Sequence, residues 1–151
     1  METTLLIIKP DAVQRGLMGR ILCRIEEKGL KILGLRMQLL SRQRAEHLYE
    51  PHKNKAFFER LVHFITSGPL VSVVVGGEDA IRQIRHMMGA TDCREAAPGT
   101  IRGDYGLSIQ NNLVHGSDSW ESAQREIPIF FTEDEVLSYE KPEESWVYAG
   151  E

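Results

Sequence analysis

Cysteine is almost missing from this chain: Cys23 and Cys93 are the whole complement in 151 residues. Two isolated thiols make neither a disulfide framework nor a metal-ligand spacing, which suits a reduced, cytoplasmic protein. Long apolar runs are missing too. The first, Leu5–Ile8, stops at Lys9-Pro10, too short for a signal peptide and far below the ~18 residues of a membrane span. No membrane partner is therefore expected. Aromatic residues make up only 7%, and the formal net charge is −4. Both argue against an obligatory nucleic-acid partner, whose binding domains carry a basic excess or a stacking platform. There is no repeat at solenoid periods and no G-x-x-x-x-G-K-[ST] phosphate loop. The Gly-rich loop and H-R-D set of protein kinases are absent as well. If this chain moves phosphate, it does so by another design.

What is present is ordinary for a globular protein, with 42% hydrophobic and 26% charged residues, and the length suits one compact domain over residues 1–151. Thr3–Ile8 reads as a strand ended by Pro10. Leu17, Ile21 and Ile25 recur at helical spacing, and Gly29 supplies a C-terminal cap. Leu33, Leu35, Met37 and Leu39 then alternate with polar residues, the pattern of a half-buried strand. Ser41 caps a short helix carrying His47 and Tyr49, and a further helix starts near Ala56. Leu70–Val75 is an almost continuously apolar, β-branched run, which predicts a central strand covered on both sides. Glu78–Met88 is helical, and Ala90–Gly106 has no period. Asn112–His115 is a short strand, after which Asp118 and Glu121 fit a capping box. That helix should end near Pro128, with Ile129–Phe131 a last strand. The alternation predicts an α+β fold: a ferredoxin-like β-α-β-β-α-β sandwich, its antiparallel four-stranded sheet carrying helices on one face.

The chemistry concentrates around His115. It leaves a strand, Gly116 permits an unusual backbone angle, and a helix start follows, whose free N–H groups favour a phosphate. A neutral imidazole there can attack phosphorus if a partner fixes its ring, and Ser117 and Glu126 are the nearest candidates. Local chemistry alone fits a buried histidine beside an ordinary capped helix equally well. His47, His52, His63 and His86 lack that setting and read as surface or partly packed residues. Arg85 ends a helix, where the macrodipole alone explains it, yet with Thr91 and Arg102 it also makes a fork for phosphates. Lys9, at a strand end, is either a solvated terminus or a ligand contact. Phe57 fits a core stripe with Leu61 and Phe64.

Three segments narrow these alternatives. Thr4-Leu-Leu-Ile-Ile-Lys-Pro-Asp11, Pro98-Gly-Thr-Ile-Arg-Gly-Asp104 and Asn112-Leu-Val-His-Gly-Ser-Asp-Ser119 resemble the nucleoside diphosphate kinases in content, order and spacing, over essentially the whole chain. The resemblance implies a ping-pong exchange in which a nucleoside triphosphate gives its γ-phosphate to Nδ1 of His115, and a different nucleoside diphosphate takes it back. Mg²⁺ would bridge the nucleotide phosphates, with no protein side chain as metal ligand. By matching position, Lys9 and Asn112 resemble the sugar contacts, and Arg85, Thr91 and Arg102 the phosphate clamp. Tyr49 resembles the tyrosine beside the transferred group, Phe57 the shelf on which bases of any kind stack, and Ser117 with Glu126 the pair that holds the histidine. Removing Arg102 would then depress turnover and leave the fold intact. A binding-only, regulatory member of the family is the alternative reading. The family's Thr-Asn/Asp-Pro is Thr91-Asp92-Cys93 here, a loop that helps pack subunits. The tail Trp146–Glu151 resembles an arm that reaches a neighbour, which favours a homo-hexamer over a tetramer or dimer.

Overall fold

The computed structural model describes residues 1–150, so the last residue of the tail singled out above lies outside the described residues. Four strands form one antiparallel sheet in the order β2-β3-β1-β4: β1 is Glu2–Ile8, β2 Lys31–Gln38, β3 Leu70–Gly77 and β4 Val114–Gly116. All eight residues of β3 are buried, Ser72 included, as the nearly continuous apolar run predicts. On β1 the pleat sends Leu6 and Ile8 into one core, with Val71, Val73 and Val75. Leu5 and Ile7 go into the other, with Leu70 and Val74.

The first core is roofed by α2 (Met18–Lys28), through Ile21 and Ile25, and by α5 (Ala80–Met88), through Ile84 and Met88. These are the two helices of the expected sandwich, and they share a face. The second face is covered as well, by α3 (Arg42–Leu48), α4 (Phe58–Ile65) and α7 (Trp120–Phe130). Helices on one face alone therefore understates the fold. The reason is the two-sided burial of β1 and β3, which exposes as much apolar surface on one side as on the other. Short helices α1 (Pro10–Gln14), α6 (Ile101–Tyr105) and α8 (Glu144–Val147) complete the set.

Three local expectations change. The helix expected to stop at Pro128 continues through it to Phe130, so Ile129–Phe131 is not a strand. Proline sits near the end of α7, where its missing N–H costs one helical bond, and burial of Ile129, Phe130 and Phe131 offsets it. The cap of α7 is Ser119, whose side chain accepts from Ser122 N; a capping box forms instead at Thr132 and Glu135. Lastly, β2 carries a register shift between Ile32 and Gly34. Leu33 is buried, but Leu35 and Met37 on this edge strand, and Leu39 just past its end, are 53%, 53% and 67% exposed.

The tail folds back along the same edge. Leu137 N donates to Leu33 O, the Tyr139 hydroxyl to Ile32 O, and Lys31 Nζ bonds Tyr139 O and Glu144. Tyr148 Oη accepts from Glu78 N. Val147 lies so close to Gly29 that a Cβ there would meet it at 2.6 Å. Leu137, Tyr139, Glu144, Val147 and Tyr148 thus pack on their own chain, while Trp146 stays 90% exposed.

Candidate active site

Strand β4 puts His115 opposite Ile7 of β1, so the imidazole emerges on the Ile7 side of the sheet, toward α7. The chain reaches β4 through Leu113, a branched residue held at φ 74°. A positive φ there is strained and must be imposed by its surroundings. Leu113 N donates to the Asp11 carboxylate at 3.0 Å, and Leu113 O accepts from Lys9 N at 2.9 Å. The kink is thus clamped by the end of β1. Gly116 has no positive φ; its reason is space, since a Cβ would come within 2.5 Å of Met88 Sδ.

His115 Nε2 lies 2.9 Å from Glu126 Oε1, and the same oxygen accepts the Ser117 hydroxyl at 2.9 Å. Burial pushes the Glu126 carboxyl up, but hydrogen bonding and charge from His115, then Ser117 and Arg125, outweigh it and hold it below the usual range. An ionised Glu126 requires a proton on Nε2, which leaves a lone pair on Nδ1. The Tyr49 ring meets the imidazole edge-on, with centroids 6.5 Å apart. Burial, then the Glu126 charge, push the Tyr49 phenol well up, so it stays a neutral hydroxyl.

Opposite this pair stand the cations. Lys9 Nζ donates to Asn112 Oδ1 at 2.7 Å and sits over the Phe64 ring. Burial pulls the Lys9 ammonium down to about 8; Asp11 opposes the shift and Arg102 reinforces it. Its charge is therefore complete below that pH and lost above it. Affinity for a phosphate-bearing ligand is expected to fall several-fold between pH 7 and 9, which calorimetric titration of a nucleoside diphosphate at both pH values checks; equal affinity would contradict it.

Arg85 Nη1 bonds Gly116 O, and Asn112 Nδ2 bonds Thr91 O. Arg102 is the most committed, donating to the carbonyls of Asn112, Gly89 and Val114 at 3.0, 3.0 and 2.7 Å. Burial draws its pKa down to about 10. Arg102 braces the loop as well as charging it, so the expectation that its removal spares the fold is corrected. A guanidinium spending three of five donors on carbonyls cannot be deleted freely.

Of the site residues singled out in the sequence, all except Ser117 line one cleft of about 380 Å³, within the range of small-molecule sites. Ser117 is buried and meets the site through its hydroxyl bond to Glu126. Phe57 lies at the rim, 37% exposed, outside either core; Phe58 and Leu61 take the apolar places beneath it. His52, read above as a surface or partly packed residue, also lines the cleft, 5.6 Å from the Phe57 ring. Its Nδ1 is buried without a partner, and burial, then Lys55 and His115, lower its pKa. The signal was its place three residues after Tyr49, on a single 3-10 turn. Asp118 and Arg125 line the cleft too; nothing in the sequence pattern marked Arg125.

A histidine ring nitrogen left unpartnered among the described residues, across a narrow cleft from buried cations on an α+β sandwich, is an arrangement suited to a phosphotransferase. The comparisons with known proteins carry that further. The family model "Nucleoside diphosphate kinase" matches residues 2–136. The nucleoside diphosphate kinase of Archaeoglobus fulgidus is 52% identical over 148 residues, covering 98% of each chain. That of Pelotomaculum thermopropionicum is 55% identical, covering 98% of this chain and 99% of its own. Among solved structures, the halophilic nucleoside diphosphate kinase of Halobacterium salinarum in complex with CDP superposes with a TM-score of 0.95. It is 48% identical and covers 97% of this chain and 98% of its own. The chain belongs to the nucleoside diphosphate kinase family. It is an enzyme that moves a phosphoryl group between nucleoside tri- and diphosphates, and nothing favours a binding-only member.

Proposed function

We propose that Nδ1 of His115 is the phosphate carrier of a ping-pong exchange. The observation that carries this reading is the commitment of Nε2 to Glu126 at 2.9 Å, with Nδ1 left unpartnered among the described residues. The Nδ1 lone pair attacks the γ-phosphorus of a nucleoside triphosphate. The bond from that phosphorus to the β,γ-bridging oxygen breaks, and the diphosphate leaves with the electron pair. A second diphosphate reverses the step, its β-phosphate oxygen attacking while His115 departs as a neutral imidazole. The cleft takes nucleoside tri- and diphosphates in this reading, and the CDP complex of the Halobacterium salinarum relative supports it.

Lys9 and Asn112 take the ribose, with Lys9 also reaching the phosphates. Arg85, Thr91 and Arg102 take the phosphates, Tyr49 stands beside the transferred group, and Ser117 and Glu126 aim the imidazole. Positioning and charge then supply most of the acceleration. Stacking on Phe57 accepts any base, since every base has a flat face. Mg²⁺ is our reading of the cofactor. Among the described residues no three His, Cys, Asp or Glu side chains group to hold a metal. The ion would therefore arrive on the nucleotide phosphates, with Asp118, the lining carboxylate not bonded to His115, available to its waters. Bound there, it neutralises phosphate charge and polarises the group in transit.

Incubation with γ-labelled ATP tests the mechanism. An acid-labile, base-stable label is expected on the tryptic peptide between Arg102 and Arg125, as the Nδ1 isomer. A label on any other residue, or on Nε2, would falsify the assignment.

We further propose a homo-oligomer, hexameric in preference to tetrameric or dimeric, in the cytoplasm, with the whole chain acting as one kinase domain. The exposed Leu35 and Met37 on outer strand β2, with Leu39 just past its end, support association, since an open apolar edge invites pairing. No helix among the described residues is long and apolar enough to cross a membrane. Sedimentation equilibrium should return six times the 17.1 kDa chain mass; a concentration-independent monomer would overturn the proposal.

A further inference from the structure

Beyond Phe57 the cleft continues into a second cavity of about 440 Å³. The two share Lys9, Phe57, Leu61, Thr91 and Asn112, so a ligand whose phosphates lie by His115 can extend its far end into the second space. The walls there are apolar: Phe57, Leu61 and Phe64 from α4 and the residue before it, and Ile109 from the loop ahead of β4. Two further polar side chains line this cavity and not the first, Arg60 and Gln110.

Both are uncommitted. The Arg60 guanidinium makes no hydrogen bond or ion pair with any described residue, whereas Arg24, Arg42, Arg44, Arg94, Arg102 and Arg125 each bond a carboxylate or a carbonyl. Arg60 lies three residues beyond Phe57 along α4, so the two share a helix face. Gln110 is held differently. Its backbone N–H and that of Asn111 both bond the Ser108 hydroxyl, which fixes the loop while the carboxamide has no protein partner among the described residues.

We propose that Arg60, with Gln110 beside it, reads the edge of the nucleobase and favours bases that present a carbonyl there. The inference rests on the nucleotide reading of the neighbouring cleft. A base stacked on Phe57 turns its rim away from the ring, toward side chains one turn along. A guanidinium only donates, so it pairs with acceptors: O6 and N7 of guanine together, or O4 of uracil and thymine. The amino group of adenine or cytosine offers that position another donor. The carboxamide of Gln110 can give or accept, so it adapts to either edge and the discrimination falls to Arg60. Both side chains are solvent-exposed, so the contact biases the choice of base by a few-fold and excludes none.

The test is the ratio of kcat/KM for GDP to that for ADP as acceptor, with a fixed donor, together with IDP, UDP and CDP. Wild type should favour GDP over ADP and UDP over CDP by about three- to ten-fold. IDP, which keeps O6 and N7 but lacks the 2-amino group, should track GDP. Arg60→Ala should bring the GDP:ADP ratio within two-fold of unity, and Arg60→Glu should invert it, because a carboxylate accepts from the adenine amino group. A wild-type ratio of one, or a ratio unchanged in Arg60→Ala, would overturn the proposal while leaving the kinase reading standing. So would an equal loss for every acceptor, which would mark Arg60 as a general phosphate attractor. If the variants do not fold, the wild-type comparison of IDP with ADP decides alone, an equal rate for the two counting against it. Failure to transfer to any acceptor, with no label on His115, would instead bring down the nucleotide reading itself.

Discussion

His115→Ala is expected to abolish exchange, with kcat/KM falling about 10⁵-fold or more, because in the proposed mechanism His115 alone carries the phosphate. The fold should survive. His115 is only partly buried, and its removal leaves Glu126 the Ser117 hydroxyl at 2.9 Å and Arg125 at 3.4 Å. The carboxylate therefore stays paired, and a change in stability within about 1 kcal/mol is expected. Nucleotide binding should persist too, since Lys9, Arg85, Arg102 and Phe57 are untouched. Three measurements on one variant separate these claims: coupled exchange rate, thermal unfolding and ADP titration. A variant that keeps even a hundredth of the wild-type rate would move the nucleophile to another residue.

Arg102→Ala carries the second-largest effect, and it is double. Losing a buried cation from the phosphate wall should cost about 10²- to 10³-fold in kcat. The same change strands the carbonyls of Gly89, Asn112 and Val114, one of which belongs to β4 itself. Stability should fall by about 2–4 kcal/mol. Arg102→Lys discriminates between the contributions. An ammonium restores charge but cannot reach three carbonyls in a planar fork, so part of the rate should return while most of the lost stability does not. A full loss of rate at unchanged melting temperature would mean that the carbonyl bonds contribute nothing.

The residues that were legible in the sequence are those whose surroundings are local. Leu70–Val75 announced a strand covered on both sides, and Asn112–Ser119 announced a histidine between a strand and a helix start. The resemblance then supplied roles that no local pattern could, those of Tyr49 and of Phe57 as a stacking shelf among them. What stayed hidden depended on packing between distant segments. Phe57 and Phe58 look alike on a helical stripe, and only the seating of α4 over the sheet sends the second inward and leaves the first at the rim. Arg102 read as a free charge because its acceptors are backbone carbonyls, which have no sequence signature. Pro128 read as a stop because the burial that carries α7 past it is tertiary. His52 lay outside every motif, and it reaches the cleft only because the turn after Tyr49 is so tight.

The half-covered edge of β2 limits how copies of this chain can grow. From Lys31 to Leu33 the strand's flank is held by Leu137 and Tyr139 of its own tail, while Leu35 to Leu39 lies open. Two copies meeting there antiparallel would each use the same few residues. Each would then find the next stretch of edge already filled, so the ladder cannot run on into a ribbon. Such a contact closes on itself as a two-fold pair, and larger assemblies must be built from such pairs through other surfaces. If copies do associate along β2 as proposed above, the tail would act as a terminator of polymerisation, and its removal would turn a self-limiting contact into an aggregation seam.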